Sequence, residues 1–316
     1  MTDARLLKRI GEDFFVSEAD IGRIFSRGPY TYKQYVIPKR SGGLRTIAQP
    51  ARETKYIQGW LIENLFYDLP VHSCAMAYKK GASIKKNALV HVANPYLVKF
   101  DFKDFFHSIK EGDLVSHFSA YFGDDLTPDE IKLVARVSCK KLKEGGEGCL
   151  SIGAPSSPIL SNTLLYDFDR AVYAWCSERN ISYTRYADDL TFSTNVKGQS
   201  STIEPKIREL VKSECVVNLK FNIKKTTHLS KKSQRRVTGL VITNDQQLSL
   251  GRARKKEIKA LIHRYSLARL DEVGLMKLQG LLGFAKDIEP EFLASMYKKY
   301  TFELVNKILR YRKPVE

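Results

Sequence analysis

Apolar residues along the chain keep two rhythms, and the rhythms alternate. Residues 1–28 carry helical spacing, first in "ARLLKRIGEDFF" and then in "SEADIGRIF", with Ser17 and Asp20 placed to cap the second helix. "YKQYVIPK" and "LRTIAQP", joined by "RSGG", predict a β-hairpin, because the glycines permit the turn. Residues 51–69 return to helical spacing, with Ile57, Leu61, Ile62, Leu65 and Phe66 on one face, and a second helix is expected over 81–93. "PYLVKFDFKDFF" (95–106) opens as a strand, which puts Leu97, Lys99 and Asp101 on one side and Val98 and Phe100 on the other. Helices are expected over 111–122 and 127–142, then a flexible "EGGEG" loop (144–148). Residues 158–180 read as one long helix with a stripe of Leu160, Leu164, Phe168, Val172 and Trp175. Two strands, Ile181–Ala187 and Leu190–Thr194, flank Asp188 and Asp189. A helix over 203–219, strands near 236–242 and 247–250, and a basic, amphipathic, helical stretch over 252–312 complete the chain. Few strands separated by helices predict an α+β fold.

At 316 residues the chain can form one large domain or two modest ones. No run approaches the ~18 apolar residues of a membrane span, and "MTDARLLKRIGEDFF" lacks a secretory apolar core. Five scattered cysteines with no C-x-x-C pair lead us to expect a reducing cytoplasm, no disulfide framework and no structural zinc. Charge changes the picture more. Lys and Arg outnumber Asp and Glu 52 to 35, a net +17. Such an excess points to a polyanionic partner, most often nucleic acid, against the plainer reading of a basic protein with no specific partner. The cations gather at 33–45, 139–143, 223–236 and 252–264, with Tyr30, Tyr32 and Tyr35 beside the first cluster, where aromatic rings can stack on bases.

Against that background two adjacent carboxylates between two strands need a reason. An ordinary polar turn is one reading of "ADD". The other is a divalent cation, since magnesium prefers hard oxygen ligands and paired metals clamp both oxygens of a phosphoryl transfer. A third acid is then needed. Asp101 ends an apolar strand, where an unpartnered charge is expensive, although it also reads as a strand-end cap. Asp104 is the weaker candidate.

The ordered set of motifs resembles a reverse transcriptase of the right-hand polymerase type. "GGLRTIAQP" (42–50) resembles the fingers hairpin, "FDFKDFF" the palm motif with the first metal-binding aspartate, and "GAPSSPILSN" (153–162) the loop-helix under template and nucleotide. "YADD" (186–189) is similar to the Y-x-D-D box, "NIKKT" (222–226) to the lysine motif and "TGLVI" (238–242) to the primer grip. The resemblance implies that Asp101, Asp188 and Asp189 hold two magnesium ions, with manganese a substitute, assisted by the Phe102 carbonyl. It implies that Phe106, in competition with Phe105, is a steric gate against a 2′-OH. Arg45 and Lys39 would neutralise the triphosphate, against a reading as solvated surface. Lys225, with Lys224 as runner-up, would protonate leaving pyrophosphate. Gly153 would let the backbone approach the nucleotide, and Ala154, Pro155 and Ser156 would continue that loop. Many relatives carry L-P-Q-G here; this chain has Ser151 and Ile152 in place of the Pro and Gln, so its nucleotide contacts differ.

"NALVH" (87–91) and "VTG" (237–239) narrow the resemblance to bacterial retron reverse transcriptases. The implied substrate is a structured non-coding RNA (msr-msd), copied from an internal 2′-OH into an RNA–DNA hybrid (msDNA) from deoxynucleoside triphosphates. Asn87, His91, Val237, Thr238 and Gly239 would face that RNA, although a lone His on a helix reads equally as a satisfied core residue. Arg252, Arg254, Lys255, Lys256, Lys259 and Arg264 would track phosphates. The implied division is fingers over 1–95, palm over 96–245 with an inserted fingers segment near 111–150, and a basic helical thumb over 246–316. No room remains for an appended nuclease, so a role in phage defence implies a separate effector protein. Two alternatives stay open: a reverse transcriptase of another element, such as a group II intron or a diversity-generating type, and a catalytically silent RNA-binding scaffold.

Overall fold

The computed structural model describes residues 5–39, 42–141 and 145–312. Arg40 and Ser41 of the expected hairpin turn, and Lys143 of the second basic cluster, lie outside the described residues. The strands are β1 (Tyr32–Pro38), β2 (Leu44–Pro50), β3 (Tyr96–Asp101), β4 (Ser182–Tyr186), β5 (Asp189–Thr194), β6 (Thr227–Leu229), β7 (Arg235–Val237), β8 (Leu240–Ile242) and β9 (Leu248–Ser249). Contacts divide the chain into two compact units. The first runs up to Ala82 and takes Val98–Phe192 and Gly198–Thr227; the second takes Ser83–Leu97, Ser193–Lys197 and the chain from His228 onward. Among the described residues no helix is long and apolar enough to cross a membrane.

In the first unit, the Ser17 hydroxyl caps helix Glu18–Arg27 by accepting from the Asp20 N–H at 3.2 Å. β1 and β2 form an antiparallel ribbon that places Arg45 opposite Ile37. Helix Pro128–Ser138 starts at a reciprocal cap between Thr127 and Glu130. Glu130 also accepts from the Leu6 N–H at 2.8 Å, which ties down the first helix. A sheet in the order β4-β5-β3-β6 carries the acidic residues. Its rear is an aromatic layer: Phe102 stacks on Phe221 at 5.1 Å and on Phe105 at 6.0 Å, and Phe100 meets Phe192 edge-on at 5.7 Å. Centroid separations of 4.5–7 Å are the favourable range for aromatic pairs. β3 is therefore packed hard from behind, and Asp101 at its end is only 5% exposed.

Several elements differ from the sequence expectation. The helix expected over 158–180 is two, Ser157–Thr163 and Tyr166–Ser177. Most of the expected stripe survives the break: Leu160, Leu164, Phe168 and Val172 are buried, Trp175 is half-buried against the core, and the break buries Leu165 as well. The strand expected over 236–242 is a hairpin, β7 and β8, turning at Thr238 and Gly239 with φ of 45° and 84°. Both residues in the left-handed region is the mark of the tight turn that matches strand twist. β6 is a strand the periodicity did not predict; three residues are too few to show a period.

The second unit packs four helices, Arg252–Ser266, Glu272–Ile288, Pro290–Tyr300 and Phe302–Arg310, where the sequence predicted one helical stretch. Asp271 caps the second helix through the Gly274 N–H at 2.9 Å, and Pro290 opens the third, where its missing N–H costs nothing. Ile258, Ile262, Leu278, Leu282, Val305 and Ile308 close the core.

Candidate active site

β4 ends at Tyr186 and β5 begins at Asp189, so Ala187 and Asp188 make the turn. Ala187 holds φ at 57°, a left-handed conformation that glycine normally supplies. Strain of that kind persists only where the surroundings enforce it. Here Arg185 enforces it, its Nη1 donating to the Ala187 carbonyl at 3.2 Å. The same guanidinium donates to both Asp169 oxygens, at 2.6 Å from Nη2 and 2.9 Å from Nε, and to Asn162 Oδ1 at 3.1 Å. Tyr183 adds its hydroxyl to Asp169 at 2.8 Å. Arg185 and Asp169 side chains are both 0% exposed. Burial alone would lower the arginine's pKa, but the Asp169 charge overrides it and pushes it up. A second bond fixes the turn from the other side: the Phe102 N–H donates to the Asp188 carbonyl at 3.0 Å.

Asp101, Asp188 and Asp189 thereby border one cleft, lined also by Arg45, Lys99 and Lys225. Burial, then the nearby Asp101 and Asp189 charges, push the Asp188 carboxyl up to about 6. Burial also raises Asp189, against the pull of Lys99. Cations are thus needed to keep the acids ionised together, and Lys225 is one of them. The Asn222 N–H bonds the Asp101 carbonyl at 2.7 Å, and the 3-10 turn Ile223–Lys225 then folds back. Lys225 Nζ lands 2.7 Å from Asp101 Oδ2. Burial works against that ammonium, but its bond to Asp101 and the surrounding acids push its pKa up. This is the physical content of the N-x-x-K spacing, and the Asp101 ion pair is made by Lys225. Among the described residues no three or more His, Cys, Asp or Glu side chains are arranged to hold a metal ion by themselves.

The remaining expected positions are placed as follows. Asp104 is exposed, at φ 49°, and borders a different depression with His107 and Lys220. Phe105 is core at 4% exposure, while Phe106 is half-buried. Lys39 is exposed at the hairpin end, its backbone bonded to Gly43. Gly153 is required for a reason the sequence did not suggest: at φ 119°, a Cβ there would sit 2.9 Å from the Ala48 carbonyl of β2. Its loop is laid along that strand, with the Ala48 N–H donating to the Ile152 carbonyl at 2.8 Å and the Ser151 hydroxyl donating to the Ala48 carbonyl at 3.1 Å. Ala154 and Ser156 are buried and Pro155 is exposed.

Residues 37–242 match the family model for reverse transcriptase (RNA-dependent DNA polymerase). Retron Ec83 reverse transcriptase of Escherichia coli is 38% identical over 289 residues, which cover 90% of this chain and 92% of that protein. The chain belongs to the retron reverse transcriptases. Retron Ec73 reverse transcriptase of Escherichia coli agrees, at 36% identity over 88% of this chain and 90% of that protein. Among solved structures, apo telomerase from Candida tropicalis superposes with a TM-score of 0.50 at 15% identity over 87% of this chain and 58% of that one. At that identity it speaks to fold alone, and the fold is that of the right-hand polymerases. The retron enzyme is an RNA-directed DNA polymerase.

Its two retron-type elements meet each other. Asn87, on helix Ile84–Leu89, is 1% exposed and donates to Thr238 Oγ1 at 3.5 Å, and the Thr238 hydroxyl donates to the Ile84 carbonyl at 3.1 Å. His91 is 0% exposed and bonded to Ser193 Oγ at 2.8 Å. Val237 is core, whereas Gly239 is exposed at the turn. The Asn87, His91 and Val237 side chains, expected to face RNA, are instead interior: Asn87 meets the β7–β8 turn through Thr238, His91 bonds Ser193, and Val237 packs in the core, while Gly239 is exposed at the turn. On helix Arg252–Ser266, Arg252, Lys256, Lys259 and Arg264 are exposed. Lys255 instead pairs with Glu289, and Arg254 lies over the Phe284 ring at 5.1 Å, so both also serve the packing of the unit.

Proposed function

We propose that this enzyme copies part of a cognate structured RNA (msr-msd) into single-stranded DNA, starting from an RNA 2′-OH, with Asp101, Asp188 and Asp189 as the catalytic acids. The observation that carries the reading is the junction of those acids with Lys225, Arg45 and Lys99 in one cleft. The donor set is all oxygen, three carboxylates and a main-chain carbonyl, which fits a hard divalent cation. Magnesium is commonly held by one or two carboxylates and completed by substrate phosphates. Asp101, Asp188 and Asp189, with the Phe102 carbonyl, are the groups that would hold it, manganese serving as a substitute. Two such ions, when bound, would stabilise the charge on the attacking and leaving oxygens.

The chain's own residues do the rest. The primer hydroxyl gives its proton to solvent water and forms a bond to the α-phosphorus of a deoxynucleoside triphosphate as the bond from that phosphorus to the bridging oxygen breaks and pyrophosphate leaves. Lys225, protonated and held against Asp101, gives its proton to the leaving group. Arg45 and Lys39 face the triphosphate charge from the β1–β2 ribbon. Ala154, Pro155 and Ser156 follow Gly153 as the loop under the nucleotide, and Phe106 excludes a 2′-OH. Thr238, Gly239, Arg252, Lys256, Lys259 and Arg264 take the RNA, read through shape, 2′-OH and phosphate contacts. Fingers, palm and thumb fall over 1–95, 96–245 and 246–316. The product is made in the cytoplasm and serves phage defence with a separate effector protein.

Cells carrying the gene with its flanking DNA, beside an Asp188→Asn/Asp189→Asn strain, test this. A discrete small single-stranded DNA, absent from the variant strain and shifted by debranching enzyme, is expected. Product without a debranching shift would refute 2′-OH priming. No product from the parent gene would refute the copying of a cognate RNA encoded in the flanking DNA.

A further inference from the structure

The segment that leads into Tyr78 is tied to the catalytic turn at three points. The Arg185 N–H donates to the Cys74 carbonyl at 2.9 Å, and the Met76 N–H donates back to the Arg185 carbonyl at 2.7 Å. Asn162 Nδ2 donates to the Ala77 carbonyl at 2.9 Å, while its Oδ1 accepts from Arg185. The chain then enters Tyr78 at φ 59°. An aromatic residue there is a real outlier, and such strain collects at functional sites. The ring that this conformation presents is half-exposed at 47%, with its centroid 6.4 Å from that of Phe106. Burial, then the Asp188 and Tyr186 charges, raise the phenol's pKa, with Arg45 opposing.

We propose that Tyr78 is a positioning residue for sugar discrimination, holding the Phe106 ring where a 2′-OH would strike it. The inference rests on the reading of Phe106 as the gate. A ring excludes a hydroxyl only if it cannot swing aside, and partly exposed side chains change rotamer in nanoseconds or less. Phe106 is flanked by Phe105, at 5.4 Å, and by Tyr78. Phe105 is fixed in the core. Tyr78 is the flank contributed by a separate segment, and its strained backbone is pinned to the strand that carries the catalytic turn.

The test is single-nucleotide insertion by the purified full-length protein on a primed RNA template, with kcat/KM for dGTP and GTP opposite the same base. Phe106→Ala is expected to lower the dGTP preference steeply. Tyr78→Ala should lower it by about tenfold, the scale on which sub-ångström misplacement acts. Tyr78→Gly, whose backbone accepts φ 59° without strain, should do the same if Tyr78→Ala folds poorly. Tyr78→Phe should keep the parent ratio. The double variant Phe106→Ala/Tyr78→Ala should discriminate no worse than Phe106→Ala, because Tyr78 acts through Phe106. An unchanged ratio in Phe106→Ala would remove the gate itself. A relaxed Phe106→Ala with unchanged Tyr78→Ala and Tyr78→Gly would leave the gate and overturn the role of Tyr78. Multiplicative loss in the double variant, or equal loss of dGTP and GTP insertion in Tyr78→Gly, would also overturn it.

Discussion

Replacing Asp169 with Asn isolates the buried arginine under the catalytic turn. The change keeps shape but leaves Arg185, 0% exposed, without its carboxylate. It also weakens the acceptor of the Tyr183 hydroxyl. Breaking one side of a buried pair costs about 3–5 kcal/mol, because the remaining charge stays desolvated. That is a large part of the 5–15 kcal/mol typical of a folded domain. At roughly 2–4 °C per kcal/mol for domains of 150–250 residues, melting should fall by about 6–20 °C. Thermal unfolding followed by circular dichroism measures it. A combined Asp169→Leu, Arg185→Met and Tyr183→Phe variant removes the buried pair and the hydroxyl bonded to it, leaving Asn162 Oδ1 and the Ala187 carbonyl without their Arg185 donor, and apolar replacement of a buried pair is often neutral. Its melting should return to within a few degrees of the parent. Its nucleotide insertion should stay at least about tenfold slow, because the Ala187 carbonyl at φ 57° has lost its donor. Asp169→Asn melting within about 2 °C of the parent would refute the energetic reasoning. Parent-rate insertion by the combined variant would refute the claim that Arg185 holds the turn.

Three further outcomes are expected. Lys225→Met should slow single-turnover insertion by roughly 10²-fold or more, the lower range for a lost proton donor, while Lys224→Met leaves it near the parent rate. Gly153→Ala must place a Cβ 2.9 Å from the Ala48 carbonyl at φ 119°, and should destabilise by about 1–3 kcal/mol in a denaturant titration. His117, beside Thr163 Oγ1 at 3.1 Å, is driven by burial from 6.5 down to about 4. The unfolded chain therefore binds the extra proton first. The stability linked to this group is fully present above pH 6.5 and is lost as pH falls toward 4, by up to roughly 3 kcal/mol. His117→Phe should flatten the stability profile across that window, and an unchanged slope would assign the acid sensitivity elsewhere.

Local signals in the chain pointed to the acids and their order. Asp101 closes an apolar strand, the Asp188–Asp189 pair interrupts a strand–turn–strand pattern, and Lys225 falls at the right spacing from Asn222. What local pattern could not show is partnership at a distance. Asp169 reads as one more polar helix position until the fold sets it against Arg185, 16 residues away. Asn87 and Thr238 are 151 residues apart, and nothing in either motif says that each buries the other. Gly153 was expected to let the backbone approach a nucleotide, and the close approach the fold shows is to the Ala48 carbonyl of β2, far earlier in the chain. Lys99 was placed on the side of Asp101 by simple alternation, and the fold makes it a neighbour of Asp189. The helix break at Leu164 and Leu165 left no mark, because it lies inside an unbroken apolar stripe without Gly or Pro.

The most direct test of the central claim is single-turnover deoxynucleotide insertion by purified protein on primed RNA with magnesium, comparing Asp101→Asn, Asp188→Asn and Asp104→Asn. Asp104 is the internal control: it lies three residues from Asp101, borders a different depression, and holds φ 49°, which asparagine tolerates. The account predicts insertion lost in Asp101→Asn and Asp188→Asn and retained in Asp104→Asn. Parent-like insertion by Asp188→Asn, or loss confined to Asp104→Asn, would contradict it.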